Sequence, residues 1–249
     1  MSYLTDFVKV SNLHFSYGGN SVLRGMQLTC ASGEWLGVVG LNGSGKTTLL
    51  RILSGQLPYR LGSVSLVGVE MNRDPSAAKS NLGFAVDSND LPDSLTGAQY
   101  LRLIGSVRSG GNCHGVVDEL TEAFSMKDIL GNLIASYSYG TRKKLGILGA
   151  LVGGPRVLIF DESLNGLDPV SGWRFKLVLK RLVSQGNCAV ILATHSLELV
   201  GGWCTRAVLL KDGHFERDWD LNVRRAQGAT ACSFEAEVLG RSGPGNPTV

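Results

Sequence analysis

The chain has 249 residues, 43% apolar and 18% charged, which excludes a chiefly disordered protein and is long enough for one large domain with a sizeable core. Lys and Arg number 24 against 21 Asp and Glu, and the resulting +3 is too small an excess for a dedicated nucleic-acid binder. Glycine, at 33 residues without collagen periodicity, points to tight turns and to backbone that approaches a ligand.

Residues 7–17 place Val8, Val10, Leu13, Phe15 and Tyr17 near period two, with a slip at Asn12, and predict a strand. Gly18-Gly19-Asn20 turns the chain, and residues 21–30 and 34–39 predict further strands about Ser32-Gly33, together an antiparallel β layer at the N-terminus. A glycine loop at 40–45 follows the apolar strand 35–39, then a helix from Lys46 to about Gly55 and a strand at 63–68. Between 88 and 135 amphipathic helix replaces strand, as at 98–103 and 116–124, so about 85–150 reads as a helical insertion. Residues 145–153 predict a core helix, 157–160 a buried strand, 171–184 a helix stopped by Gly186, and 189–193 another buried strand. Lys211-Asp212-Gly213 between 207–210 and 214–216 is a hairpin signal. The alternation predicts a mainly parallel α/β sheet, and no internal repeat is present. From Leu221 the chain is a C-terminal extension without a clear element, and its Gly-, Ser- and Pro-rich end from 240 to 249 is expected to be mobile.

Cys30, Cys113, Cys188, Cys204 and Cys232 are odd in number and contain no C-x-x-C, so they read as buried thiols in a reducing compartment, not as disulfides or a zinc site. The N-terminus lacks a basic start and an apolar run, and no stretch reaches the ~18 apolar residues of a membrane span. A cytoplasmic protein is expected.

Two motifs carry chemistry. Gly40-Leu41-Asn42-Gly43-Ser44-Gly45-Lys46-Thr47-Thr48 fits G-x-x-x-x-G-K-[ST] between a strand and a helix, as a P-loop requires. Its glycines let backbone N–H groups form an anion nest, the helix start adds its positive end, Lys46 can bridge phosphate oxygens, and the Thr47 hydroxyl can ligate Mg²⁺. The second motif, Val157-Leu158-Ile159-Phe160-Asp161-Glu162, ends a buried strand in two carboxylates, where open α/β sheets bind ligands. Asp161 can hold Mg²⁺ through water, and Glu162, pointing elsewhere, can polarise an attacking water. Together they predict a P-loop NTPase of the RecA-like α/β class, with the N-terminal antiparallel β layer and the helical subdomain added to its core.

Further segments narrow the class. Tyr137-Ser138-Tyr139-Gly140-Thr141-Arg142-Lys143-Lys144 has its Ser138 23 residues before Asp161 and resembles the L-S-G-G-Q signature of ATP-binding cassette (ABC) ATPases, matching at Ser138 and Gly140 and departing at Tyr137, Tyr139 and Thr141. Leu167-Asp168 resembles that family's D-loop, and Ala193-Thr194-His195-Ser196 its H-loop. Tyr17, 23 residues before Gly40, stands where the family stacks an aromatic on adenine. The landmarks keep the family's order over residues 7–213, so that one ABC ATPase domain at 1–220 and an extension at 221–249 are expected.

The resemblance implies a mechanism. ATP and Mg²⁺ are held by Tyr17, Asn42, Gly43, Ser44, Gly45, Lys46, Thr47, Thr48 and Asp161. A second cassette, a copy or a paralogue, presents Ser138 and Gly140 to the γ-phosphate, His195 senses that phosphate, and Glu162 is the general base or orients the water. The segment 82–87 resembles the strand into the Q-loop but ends in Asp87 where the family has glutamine; Asp87 is the Q-loop candidate for the ATP site, one methylene shorter, charged and without an amide donor, so that it either ligates Mg²⁺ through water or does not reach it. Leu95-Thr96-Gly97-Ala98-Gln99-Tyr100-Leu101 resembles the segment that follows in exporter-type cassettes. The implied protein is the ATPase subunit of an exporter-like ABC transporter, at the cytoplasmic face of a membrane, gripped by a separate permease through the helical subdomain and Q-loop region. A soluble cassette acting on ribosomes or DNA would carry a second cassette, coiled coil or basic modules, and a non-hydrolysing sensor would lack Glu162 or His195.

Overall fold

Alternate positions of β1 (Asp6–Tyr17) and β2 (Asn20–Ala31) make one buried face, with Val8, Val10 and Leu13 on the first strand and Leu23, Met26, Leu28 and Cys30 on the second. The slip near Asn12 is a bulge: Val10 pairs with Leu28 and Leu13 with Met26, while Asn12 takes a φ of 48°. With β4 (Leu61–Leu66) and β5 (Val69–Glu70) these strands form an antiparallel sheet ordered β2-β1-β4-β5. The computed structural model describes residues 5–108, 114–164 and 167–240.

β3 (Trp35–Val39) does not join that layer, which corrects the expectation that residues 34–39 continue it. All five of its residues are buried, and a strand with no polar face needs cover on both sides. Ser32 and Gly33, the latter at φ 76°, hand the chain into a second sheet ordered β10-β9-β3-β8-β7-β6. Its other strands are β6 (Leu82–Phe84), β7 (Val157–Asp161), β8 (Ala189–Ala193), β9 (Arg206–Lys211) and β10 (His214–Asp220). The β6–β7, β7–β8, β8–β3 and β3–β9 pairs are parallel; the β9–β10 hairpin is antiparallel and turns through Asp212 and Gly213, both at positive φ.

Period two sorts this sheet onto two cores. Leu36, Val38, Val157, Ile159 and Ile191 face the antiparallel layer and α1 (Lys46–Leu53), whereas Trp35, Leu158, Phe160, Val190 and Leu192 face the other helices. Those include α3 (Gly97–Val107), α4 (His114–Ala123), α5 (Tyr139–Leu151) and α6 (Pro169–Ser184), close to the expected segments. The helical insertion lies on this side. Three glycines let α5 sit against its neighbours: a Cβ on Gly83 would come within 2.0 Å of the Ala150 carbonyl oxygen, on Gly146 within 2.6 Å of the Val86 carbonyl oxygen, and on Gly149 within 2.8 Å of the Tyr100 ring. Arg108 closes the helix by donating to the carbonyls of Gly149 and Val152 at 2.8 and 2.9 Å.

Four helices carried no clear sequence signal: α2 (Pro75–Ser80), α7 (Leu197–Trp203), α8 (Leu221–Ala226) and α9 (Ala231–Val238). All four are eight residues or fewer, too short for a periodic pattern to stand out, and each is started by a side-chain cap, from Asp74, Ser196, Asp220 and Thr230. The extension after residue 220 packs back on the body, with Phe234 only 1% exposed. Cys30, Cys188 and Cys204 are buried and form no disulfide, and burial pushes the first and last thiols up. Cys232 is exposed on the outer side of α9, contrary to the expectation of a buried thiol; the helix is short and turns only Phe234 fully inward. Cys113 and the end from 241 to 249 lie outside the described residues.

Candidate functional site

Three neighbouring parallel strands, β3, β8 and β7, end on the same edge of the sheet, so the glycine loop after β3, Asp161-Glu162 after β7 and Thr194-His195 after β8 converge there. Among the described residues no helix is long and apolar enough to cross a membrane.

The loop passes the sheet at close range. A Cβ on Gly40 would meet the Leu210 carbonyl oxygen at 2.4 Å and Ser44 Oγ at 2.6 Å. Gly43 and Gly45 hold φ of 81° and 107°, the left-handed region that bends the loop before α1. Asn42 and Gly43 are exposed at the rim, Thr47 is exposed at the first turn, and Thr48 is buried on the inner side of α1. α1 has no acidic side chain of its own in that first turn, where the positive helix end favours an anion. Lys46 is only 7% exposed and folds back into the loop, donating to the carbonyls of Gly40 at 2.7 Å and Leu41 at 3.1 Å. Burial lowers its pKa, against the pull of Glu162 and Asp161.

Asp161 is raised above its ordinary value, chiefly by burial, while the Thr47 hydroxyl against its carboxylate acts the other way. Its Oδ1 is buried without a hydrogen-bond partner, and so is Ser44 Oγ. Two orphaned oxygens in one cradle fit a site completed by a hydrated cation and phosphate oxygens. Among the described residues no cluster of three or more His, Cys, Asp or Glu forms a metal cage, and Mg²⁺ held by one carboxylate, a hydroxyl and phosphates needs none.

Glu162 takes a φ of 50°, uncommon for a residue with a side chain, while its N–H donates to the Ala193 carbonyl at 2.9 Å. That twist aims the carboxylate at the next strand. It accepts from Thr194 Oγ1 at 3.2 Å and from the His195 N–H at 2.9 Å, and it pairs with His195 Nδ1 at 3.1 Å. The structure thus brings the expected base and the expected sensor into one hydrogen-bonded unit. Thr194, whose Oγ1 also accepts from the Ser196 N–H at 3.1 Å, joins this hydrogen-bonded unit, a partner that the sequence alone does not single out; a hydroxyl at the end of a buried strand is the available signal. Tyr17 is 47% exposed at the end of β1, its ring held edge-on by Phe15 at 4.8 Å, and so presents a face to solvent. Beside the glycine loop runs a cleft of about 960 Å³, lined by residues 40–44, His195, the β9–β10 turn and the end of α9.

The signature segment lies on the surface. Ser138 is the N-cap of α5, accepting from the Thr141 N–H at 3.2 Å and bonding the Thr141 hydroxyl at 2.9 Å, and a Cβ on Gly140 would meet open space. An exposed hydroxyl at a helix N-terminus suits an incoming anion. Asp168 is the N-cap of α6, accepting from the Ser171 N–H and hydroxyl at 2.9 and 2.7 Å, and it pairs with Lys144 of α5 at 2.8 Å. It therefore ties α5 to α6. Asp87 is exposed, and its Oδ1 accepts from the Asn89 N–H at 2.9 Å inside its own turn. Arg142, assigned no role from sequence, donates to the neighbouring Ser88 carbonyl at 3.3 Å and bonds Asp93, so it links the Asp87 turn to the signature helix.

The Lys144 ammonium, then the Ser171 groups, hold the Asp168 carboxyl well below the ordinary carboxylate value of 3.8. Its contribution to stability is complete above that ordinary value and is lost as pH falls through the depressed one. Asp168→Ala should cost about 1 kcal/mol at neutral pH, from the missing cap, and progressively less toward the acid end. Urea unfolding of both proteins across that range checks this; a pH-independent difference would contradict it.

The family model described as "ABC transporter" matches residues 23–165. The ABC transporter ATP-binding protein YdbJ of Bacillus subtilis (strain 168) is 31% identical over 212 residues, 85% of this chain and 68% of that protein. The ABC transporter ATP-binding protein NatA of the same organism is 28% identical over 195 residues, 77% of this chain and 78% of that protein. Among solved structures, an ATP-binding subunit of an ABC transporter superposes with a TM-score of 0.82 at 24% identity, covering 94% of this chain and 99% of the other. A dimeric post-hydrolysis state of the cassette MJ0796 bound to ADP and Pi gives 0.73 at 22%, covering 86% and 98%.

Proposed function

The chain belongs to the ABC transporter family as an ATP-binding ATPase subunit, and from that premise we propose that ATP clasps two cassettes head to tail and so drives a separate membrane permease. The observation that carries this is the division of the catalytic parts between two surfaces. The phosphate cradle, Asp161, Glu162 and His195 share one sheet edge, while Ser138 is an exposed N-cap at the start of α5, whose later turns are buried. A site assembled from two chains uses both.

In this reading Tyr17 stacks on adenine and the residues from Asn42 to Thr48 hold the phosphates. The Lys46 ammonium exchanges the Gly40 and Leu41 carbonyls for phosphate oxygens. Thr47 and, through water, Asp161 would hold Mg²⁺, which supplies charge neutralisation at the phosphates. His195 leaves its pairing with Glu162 for the γ-phosphate, and the freed Glu162 carboxylate takes or orients the proton of the attacking water. Ser138 and the backbone at Gly140 of the second cassette close the site with donors aimed at the anion. Phosphoryl transfer needs alignment and charge compensation more than covalent help, and these residues supply both. Loss of the γ-phosphate removes what joins the two chains, and they part.

The permease contacts are assigned to the helical insertion and the Asp87 turn, which Arg142 links to Ser138's helix. Asp87 itself accepts from the Asn89 N–H and so holds the turn that Arg142 grips at Ser88, where the resemblance leads one to expect an amide side chain. The site of action is then the cytoplasmic face of a membrane. Export as the direction rests on the resemblance of the signature variant and of residues 95–101.

Phosphate release per chain tests the two-chain site. It should rise with protein concentration at saturating Mg-ATP, and approach a plateau once chains are paired. A rate per chain that is flat from the most dilute sample upward, with no dimer present, would overturn the reading.

A further inference from the structure

We propose that the C-terminal pair α8–α9 positions His195, with Arg225 as the positioning residue. The inference rests on the reading of His195 as a contact to the γ-phosphate. The His195 side chain is 69% exposed and held laterally by Glu162, so its placement depends on the backbone that carries it. That backbone runs directly into α7 through its cap, Ser196. A shift of α7 is therefore a shift of His195.

α7 has seven residues and cannot hold itself by propensity alone. It is gripped on three sides. Toward the sheet it lies on β3, where a Cβ on Gly37 would come within 2.5 Å of Val200 Cγ1. On its outer side lies α9, where a Cβ on Gly201 would come within 3.0 Å of the Ala231 Cα. At its C-terminal end Arg225 of α8 donates to the Gly201 carbonyl at 2.9 Å and to the Cys204 carbonyl at 2.7 Å, and Asn222 Oδ1 accepts from the same guanidinium at 2.9 Å. Those carbonyls belong to the last turn, where a helix has no partners of its own.

A second layer fixes α9 in turn. Phe234 meets the Trp219 ring edge-on at 5.3 Å, Trp219 Nε1 donates to Glu237 at 2.8 Å, and Arg224 pairs with Glu237 at 2.6 Å. The end of α9 and His195 line the same cleft beside the glycine loop. The extension is thus built onto the one helix that carries the sensor. Among the described residues the extension also meets β10 through Trp219, and at its start the Leu221 N–H donates to the Thr205 carbonyl at 2.9 Å.

Phosphate release and binding of a fluorescent ATP analogue are measured on the full chain carrying Arg225→Ala, Arg225→Lys, His195→Ala and the Arg225→Ala/His195→Ala pair. Arg225→Ala should lower turnover at saturating Mg-ATP by about tenfold, with analogue affinity within about twofold of the parent. Arg225→Lys, which keeps a donor, should recover part of the loss. In the His195→Ala background Arg225→Ala should cost nothing further, because the residue it positions is gone. Losses that multiply in the pair, or an affinity loss equal to the turnover loss, would overturn the positioning role. Should Arg225→Ala not fold, as judged by its melt, Gly201→Ala is carried through the same measurements, since its added methyl presses on the α9 backbone. If His195→Ala alone turns over like the parent, the γ-phosphate reading fails and the positioning role with it; if His195→Ala is slow and the losses multiply, only the positioning role fails.

Discussion

Glu162→Gln is expected to cut ATP turnover by about a hundredfold or more while ATP binding is kept. The change preserves size and one carbonyl oxygen, so the N–H of His195 retains an acceptor at the position now 2.9 Å away. What it removes is the basic oxygen. Glu162 is held at φ 50°, with its N–H tied to Ala193 of the next strand, and this backbone keeps the side chain over the strand ends instead of along β7. A strained position that aims one carboxylate at His195 and Thr194 is costly to maintain for packing alone. Phosphate release by the purified chain, beside binding of a fluorescent ATP analogue, checks the prediction. Turnover near the parent's would reduce Glu162 to a structural partner of His195.

Lys46→Ala should weaken ATP binding by about tenfold or more, the range for one charge-assisted hydrogen bond to a phosphate. The ammonium is buried under the loop with its charge satisfied by two carbonyls, Gly40 and Leu41, and not by a directly paired carboxylate. Carbonyls are weaker partners than phosphate oxygens, so an incoming anion can take the ammonium from them. Burial lowers the Lys46 pKa against the pull of Glu162 and Asp161, which marks the cost of keeping that charge out of water. Titration with the same analogue at constant ionic strength checks this, and an unchanged affinity would show that the cradle backbone alone holds the phosphates.

The parts of the site that sequence made legible are those whose chemistry is contiguous. A phosphate cradle needs its glycines, Lys46 and Thr47 side by side, and a buried strand that ends in Asp161 and Glu162 announces its own edge. His195 and Ser138 are expected from the order in which the motifs stand. The pairing of Glu162 with His195 across two strands did not, because it depends on the positive φ at Glu162 and on the β7–β8 register. Neither did Arg142, whose partners Ser88 and Asp93 lie about fifty residues upstream in a different element. The turn at Ser32-Gly33 reads as a hairpin, yet it passes between sheets, because β3 is apolar on both faces and only the second sheet covers both. The C-terminal helices were invisible for a related reason. Their anchors, Trp219, Phe234 and the small Gly201 on α7, act across the chain, and no helix of six to eight residues shows a face on its own.

If one nucleotide is held by two chains, the mass of Glu162→Gln in solution reveals it most directly. Light scattering should give the monomer mass without nucleotide and twice that mass with saturating Mg-ATP, because the closed pair forms and is not opened by hydrolysis. Adding Ser138→Arg, which places bulk at the outward cap of α5, should return the mass to that of the monomer. A Glu162→Gln protein that binds ATP yet keeps the monomer mass at every concentration measured would contradict the account.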